Sequence, residues 1–97
     1  MIFITTKSGF KAEINEDKLQ DFRFLTYMVK VVKGADDFEK LDAYMSMMDM
    51  IFSKNQKNDF MDHIATLNDG IADTEKVIAE FNDIIEQCKE SSNKVKN

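Results

Sequence analysis

His63 is the single histidine of this chain and Cys88 its single cysteine, so an imidazole base or a thiol nucleophile could come from nowhere else. One histidine excludes a two-histidine metal site within one chain. Asp59 precedes His63 by one helical turn, a spacing that lets two side chains meet on a helix surface, and a surface pair is what it supports. Cys88 falls within the run Val77, Ile78, Phe81, Ile84 and Ile85, where burial raises a thiol's pKa and suppresses its reactivity. Asn68-Asp69-Gly70 invites comparison with a calcium loop. With Gly70 at the loop's central glycine, Ala65, Leu67 and Lys76 would stand where carboxylates are needed, and they cannot build that cage. The glycines are well separated and cannot form a phosphate-cradling loop. These readings predict no catalytic residue, no metal site, no cofactor and no enzymatic activity.

The elements that hold these residues can be read from periodicity and punctuation. Ile2 to Thr6 are β-branched or aromatic, and Phe10, Ala12 and Ile14 alternate with Lys11 and Glu13, the period of a half-buried strand. Lys7-Ser8-Gly9 supplies the turn between them, with Gly9 free to adopt positive φ. From Asn15 onward the signals are helical. Asn15 or Asp17 can cap a first helix running to about Lys33, with Gly34 as its C-terminal cap. Asp36 can cap a second helix, about Asp37 to Ser53; a third spans about Asn55 to Leu67; Asp73 caps a fourth, to about Glu90. The expected fold is therefore mainly α. It is a single four-helix domain over residues 1–90, with a short N-terminal β-hairpin at about 1–14 and a flexible tail at 91–97.

The apolar surface of these helices is unevenly distributed. The fourth is plainly amphipathic, with Glu75, Glu80, Asp83 and Glu86 off its apolar stripe. In the first, Phe22, Leu25, Val29 and Val32 form one stripe, and Phe24, Tyr27, Met28 and Val31 widen the apolar arc. In the second, Phe38, Leu41, Tyr44, Met45, Met48, Ile51 and Phe52 form a stripe from which Met47 and Met50 project. A helix apolar over most of its circumference is either central in the fold or meets a partner. Methionine adapts to varied surfaces, so the Met45–Met50 cluster favours a binding role. Phe24, Tyr27, Val31, Met47 and Met50 are the expected partner-binding residues.

Composition narrows the partners. The chain has 97 residues, a net charge of −5 and 43% apolar residues, which describes an ordinary globular domain. Its only arginine is Arg23 and its lysines are scattered, so nucleic acid is not an expected partner. No apolar run reaches membrane-spanning length, and Met1 to Thr6 lacks the form of a secretion signal. A lone cysteine fits a reducing cytoplasm. A small acidic inhibitor of an enzyme, acting as a nucleic-acid mimic, would need a dense acidic stripe, whereas the carboxylates here are interleaved with lysines. A self-assembling helical scaffold using the hairpin edge is a further alternative.

The order of these features resembles the tail assembly chaperones of long-tailed bacteriophages of Gram-positive hosts. The resemblance runs through the β segment Lys7-Ser8-Gly9-Phe10 to Ile14, the acidic lead-in Glu16-Asp17-Lys18-Leu19-Gln20-Asp21 and the polar break Lys33-Gly34-Ala35-Asp36. It continues through Gln56 to His63, the turn Asn68-Asp69-Gly70 and the amphipathic run Val77 to Ile85. It covers nearly the whole chain as an order of features rather than a signature. Phe52-Ser53-Lys54 departs from it, since members often carry glycine where the second helix ends, and the methionine run is unusual. The resemblance implies a protein of the host cytoplasm, absent from the mature virion. It would bind and solubilise the tape measure protein, help recruit tail tube protein, and act as a homo-oligomer. A frameshifted longer form often accompanies such proteins.

Overall fold

In the computed structural model, residues 1–34 and 36–91 are described in full, and residues 92–96 by their helical backbone. Strands β1 (Ile2–Thr5) and β2 (Lys11–Ile14) form an antiparallel pair in which Ile2 faces Ile14, Phe3 faces Glu13, Ile4 faces Ala12 and Thr5 faces Lys11. The period-two pattern puts Ile4, Ala12 and Ile14 into the core and leaves Phe3, Thr5, Lys11 and Glu13 outside. Gly9, at φ 96°, closes the turn, where its N–H donates to the Thr6 carbonyl at 3.0 Å. The Thr6 hydroxyl oxygen accepts from the Phe10 N–H at 3.0 Å.

A two-stranded ribbon is marginal alone, and helices complete it on both margins. On the β2 side, the Gln56 side-chain amide behaves like a neighbouring strand. It accepts from the Glu13 N–H at 2.8 Å and donates to the Glu13 carbonyl at 3.1 Å. On the β1 side, Gln87 donates to the Thr5 carbonyl at 3.0 Å and Asp83 accepts from the Lys7 N–H at 3.1 Å.

Among the described residues there are four α-helices: α1 (Phe22–Lys33), α2 (Asp37–Ile51), α3 (Lys54–Leu67) and α4 (Thr74–Lys96). The expected mainly-α fold with a short N-terminal hairpin is the one found. The first helix is not continuous from Asn15, however. A 3-10 turn spans Glu16–Gln20, capped by Asn15, and α1 begins only after Asp21. Asp21 holds extended backbone (φ −65°, ψ 131°) while its carboxylate accepts from the Arg23 N–H and pairs with the Arg23 guanidinium at 2.7 Å. A short carboxylate that satisfies free N–H groups ahead of it starts a new helix rather than continuing an old one. Helix α2 ends at Ile51, short of the expected Ser53, because Phe52 turns into the core and the Ser53 hydroxyl caps α3. At the other end of α3, Asp69 (φ 54°) and Gly70 (φ 87°) reverse the chain. The α4 backbone is helical to Lys96, beyond the expected end at Glu90. The flexible tail expected over 91–97 rests on Asn97 and on the side chains of 92–96, which lie outside the described residues.

The Asp21 cap carries a pH dependence. Hydrogen bonds from the Arg23 side chain, then from its backbone N–H, lower the Asp21 pKa from 3.8 to about 2. A carboxyl lowered on folding stabilises the native state fully above its unfolded value and loses that contribution as pH falls through its folded value. Stability to urea should therefore decline between about pH 4 and pH 2. Asp21→Asn, which can still cap but does not titrate, should show a shallower decline; an identical pH profile for the two proteins would refute this assignment.

The core is organised by aromatic rings. Phe10 meets Phe60 at 5.2 Å, Phe60 meets Phe52 at 5.4 Å, Phe52 meets Phe81 at 5.9 Å, and Phe81 meets Tyr44 at 6.2 Å. These edge-on and tilted contacts join the hairpin to α3, α2 and α4. Of the two helices expected to be most apolar, α2 is the central one. It buries Ala43, Tyr44, Met47, Met48 and Ile51, whereas α1 buries only Phe24.

Candidate functional site

The residues with chemical potential serve structural ties. The Ser8 hydroxyl donates to Glu80 Oε2 at 2.9 Å and lies 2.9 Å from His63 Nε2. Because the carboxylate takes the hydroxyl proton, the imidazole must donate its own N–H to the serine oxygen. His63 is thus turned away from a base's role towards Ser8, and the three side chains fasten the hairpin turn to α3 and α4. Separations of 55 and 72 residues hid this cluster from sequence reading. The Cys88 thiol is fully enclosed, and burial, then the negative charge of Glu16, pushes its pKa up to about 11. A thiol in that state stays protonated at neutral pH. Among the described residues, no three His, Cys, Asp or Glu side chains converge as a metal site. No described helix is long and apolar enough to cross a membrane.

What stands out is apolar surface, and it lies on the opposite side of α1 from the one expected. Phe24 is buried, Tyr27, Met28 and Val31 are half-buried, and the stripe Phe22 (80% exposed), Leu25, Val29 and Val32 (76%) faces outward. Both arcs of α1 are apolar, so periodicity alone does not say which arc docks on α2. In α2, Phe38 (84%), Leu41 and Met45 are exposed, Met47 is buried and Met50 is half-buried. Phe24 and Met47 therefore belong to the core rather than to an open surface. Their burial follows from α1 packing along α2.

A groove of about 410 Å³ opens between α1 and the middle of α4. Met28, Val31 and Val32 form one wall, Phe81 and Ile85 the other, and Tyr44 and Met47 lie between them. Asn82, Glu86 and Lys89 supply its polar groups. Asn82 Nδ2 donates to the Tyr44 hydroxyl at 3.3 Å, which holds the ring in place. Of the expected binding residues, Val31 and Met47 line this groove, whereas Phe24, Tyr27 and Met50 do not. Sequence reading missed the contribution of α4, whose Phe81 and Ile85 served only as markers of a core stripe. A second groove, of about 190 Å³, lies between α2, α3 and the start of α4, lined by Leu41, Met45, Met61, Val77 and Ile78 among others.

Comparison with protein-family models, with curated proteins and with solved structures finds no match.

Proposed function

We propose that this chain is a non-enzymatic client-binding protein that takes an amphipathic helix into the groove between α1 and α4, as a phage tail assembly chaperone. The observation that carries the reading is the groove itself: an apolar floor and walls with a few polar groups at its margin, continuous at Val32 with the exposed apolar stripe of α1. Helix-in-groove recognition uses this kind of surface, and contiguous exposed apolar patches mark interaction sites. The resemblance to tail assembly chaperones supplies the client, the tape measure protein, whose long helices carry apolar sides that need cover. Recruitment of tail tube protein, work in the host cytoplasm and absence from the virion follow from the same resemblance. A net charge of −5 supports solubility of the coated client.

Met47 is too deeply enclosed to test by a charge, so the test uses the groove wall. Val32→Asp combined with Met28→Gln should reduce co-purification of a co-expressed tape measure protein by about tenfold or more, a loss of about 1.4 kcal/mol or above. Thermal unfolding of the variant should stay cooperative. The control Phe3→Ser, on the outer face of the hairpin, should bind as the parent does. Undiminished capture by the folded double variant would refute the groove as the client site.

A further inference from the structure

The groove of about 190 Å³ shares only Tyr44 with the α1–α4 groove and differs from it in side chains and in charge. Its walls are Leu41, Met45 and Met48 of α2, Met61 of α3, and Val77 and Ile78 of α4. Methionine is unbranched and polarizable, so a cleft walled by it can shape itself around a bulky apolar anchor. Phe38 lies two turns before Met45 on the same side of α2 and is exposed, which carries the apolar surface out beyond the mouth. Among the lining residues only Lys57 is charged, and Asp49 neutralises it at 2.6 Å. The mouth itself is acidic. At about 100° per residue, Asp37 and Asp42 fall on either side of the Leu41–Met45 row, and Glu75 lies on the outer side of Ile78. All three are exposed, and none is in an ion pair with a described residue. Nearby cations are turned elsewhere. The Lys40 side chain approaches Gly34 on the opposite side of α2, and Lys76 Nζ donates to Asn68 Oδ1 at 2.8 Å.

We infer that this second groove takes a basic amphipathic helix of another protein. An apolar anchor of that helix enters between α2, α3 and α4, while its lysine or arginine side chains meet Asp37, Asp42 and Glu75. An acidic helix in the same place would set like charges against each other around the rim, and an uncharged one would leave the rim carboxylates without partners. Helix-in-groove recognition selects the apolar spacing of the partner, and the rim selects its sign. The net charge of −5 adds a long-range pull on a basic partner. The inference concerns a separate surface and holds whether or not the α1–α4 groove takes a client.

Fluorescence anisotropy of labelled synthetic peptides on the whole chain tests it. The probe is a lysine–leucine peptide with leucines at the spacing of one helix face. Its comparators are the same peptide with glutamate for lysine, and a scrambled peptide of identical composition. The basic amphipathic peptide should bind at least about tenfold more tightly than either comparator, and more weakly as salt rises. Leu41→Gln with Met45→Gln should weaken it about tenfold or more, and Asp42→Asn with Glu75→Gln should weaken it and flatten its salt dependence, while circular dichroism shows both variants folded. Val32→Asp with Met28→Gln, in the other groove, should bind the peptide as the parent does. Equal binding of the scrambled or acidic peptide would overturn the inference, and so would undiminished binding by the folded Leu41 and Met45 variant. Loss of binding in the Val32 and Met28 variant would place the peptide in the other groove, which also overturns it. Sedimentation velocity supplies the last arm: self-association of the parent that vanishes with Leu41→Gln and Met45→Gln would make a second copy the occupant and refute a foreign helix.

Discussion

Phe81→Ala should cost about 3–5 kcal/mol of folding stability, the range for removing a fully buried phenylalanine ring. Phe81 has no exposed surface and stands between two edge-on partners, Phe52 at 5.9 Å and Tyr44 at 6.2 Å. Its loss opens a void where α2 and α4 meet and removes part of the wall of the α1–α4 groove. A domain of this size has about 5–15 kcal/mol in total, so the variant should be close to the limit of folding at 37 °C. Urea titration should show a lowered midpoint with an unchanged slope, the sign of lost stability rather than of an altered denatured state. A loss below about 1 kcal/mol would mean that the neighbouring side chains collapse into the space and that the ring is not the centre of the core.

Gly34→Ala should destabilise the protein by about 1–3 kcal/mol, as overpacking does. The direction is the informative part. Gly34 has φ −60° and ψ 146°, a conformation open to alanine, and such a replacement ordinarily stabilises by about 0.4–1 kcal/mol through the unfolded chain. Here the added methyl would collide with the Lys30 carbonyl oxygen, the acceptor of Gly34's own N–H, and would meet Lys40 Cγ at 3.1 Å. Backbone cannot yield as a side-chain tip can, so the joint between α1 and α2 would have to shift. Urea titration of the variant reads the sign directly, and a gain in stability would show that the joint has slack. Glycine was expected at this position as a helix terminator; it is required there for close approach rather than for positive φ.

The hairpin, the caps at Asp36 and Asp73 and the reversal at Asn68-Asp69-Gly70 were all legible in the sequence, because each rests on local chemistry within a few residues. The apolar stripe of α4 was legible too, since its polar and apolar faces are cleanly divided. The break at Asp21 was not, because the residue reads equally well as a member of an acidic first turn. Its preference for the Arg23 N–H and guanidinium shows only when the backbone is in place. The apolar excess of α1 and α2 was legible, but not the direction in which it faces. Phe24 and Met47 both went into the core through the packing of α1 on α2, and of the two only Met47 also lines the groove, beside Val31. The partners Gln56 and Gln87 gave no sequence signal, since their acceptors and donors are backbone groups 43 and 82 residues away.

Those two glutamines have a further consequence. An open ribbon margin is a template for strand addition and fibril growth. Gln56 occupies the backbone groups of Glu13 on one margin, and Gln87 with Asp83 occupies those of Thr5 and Lys7 on the other. Held within the protomer, those groups are not offered to a strand of another chain.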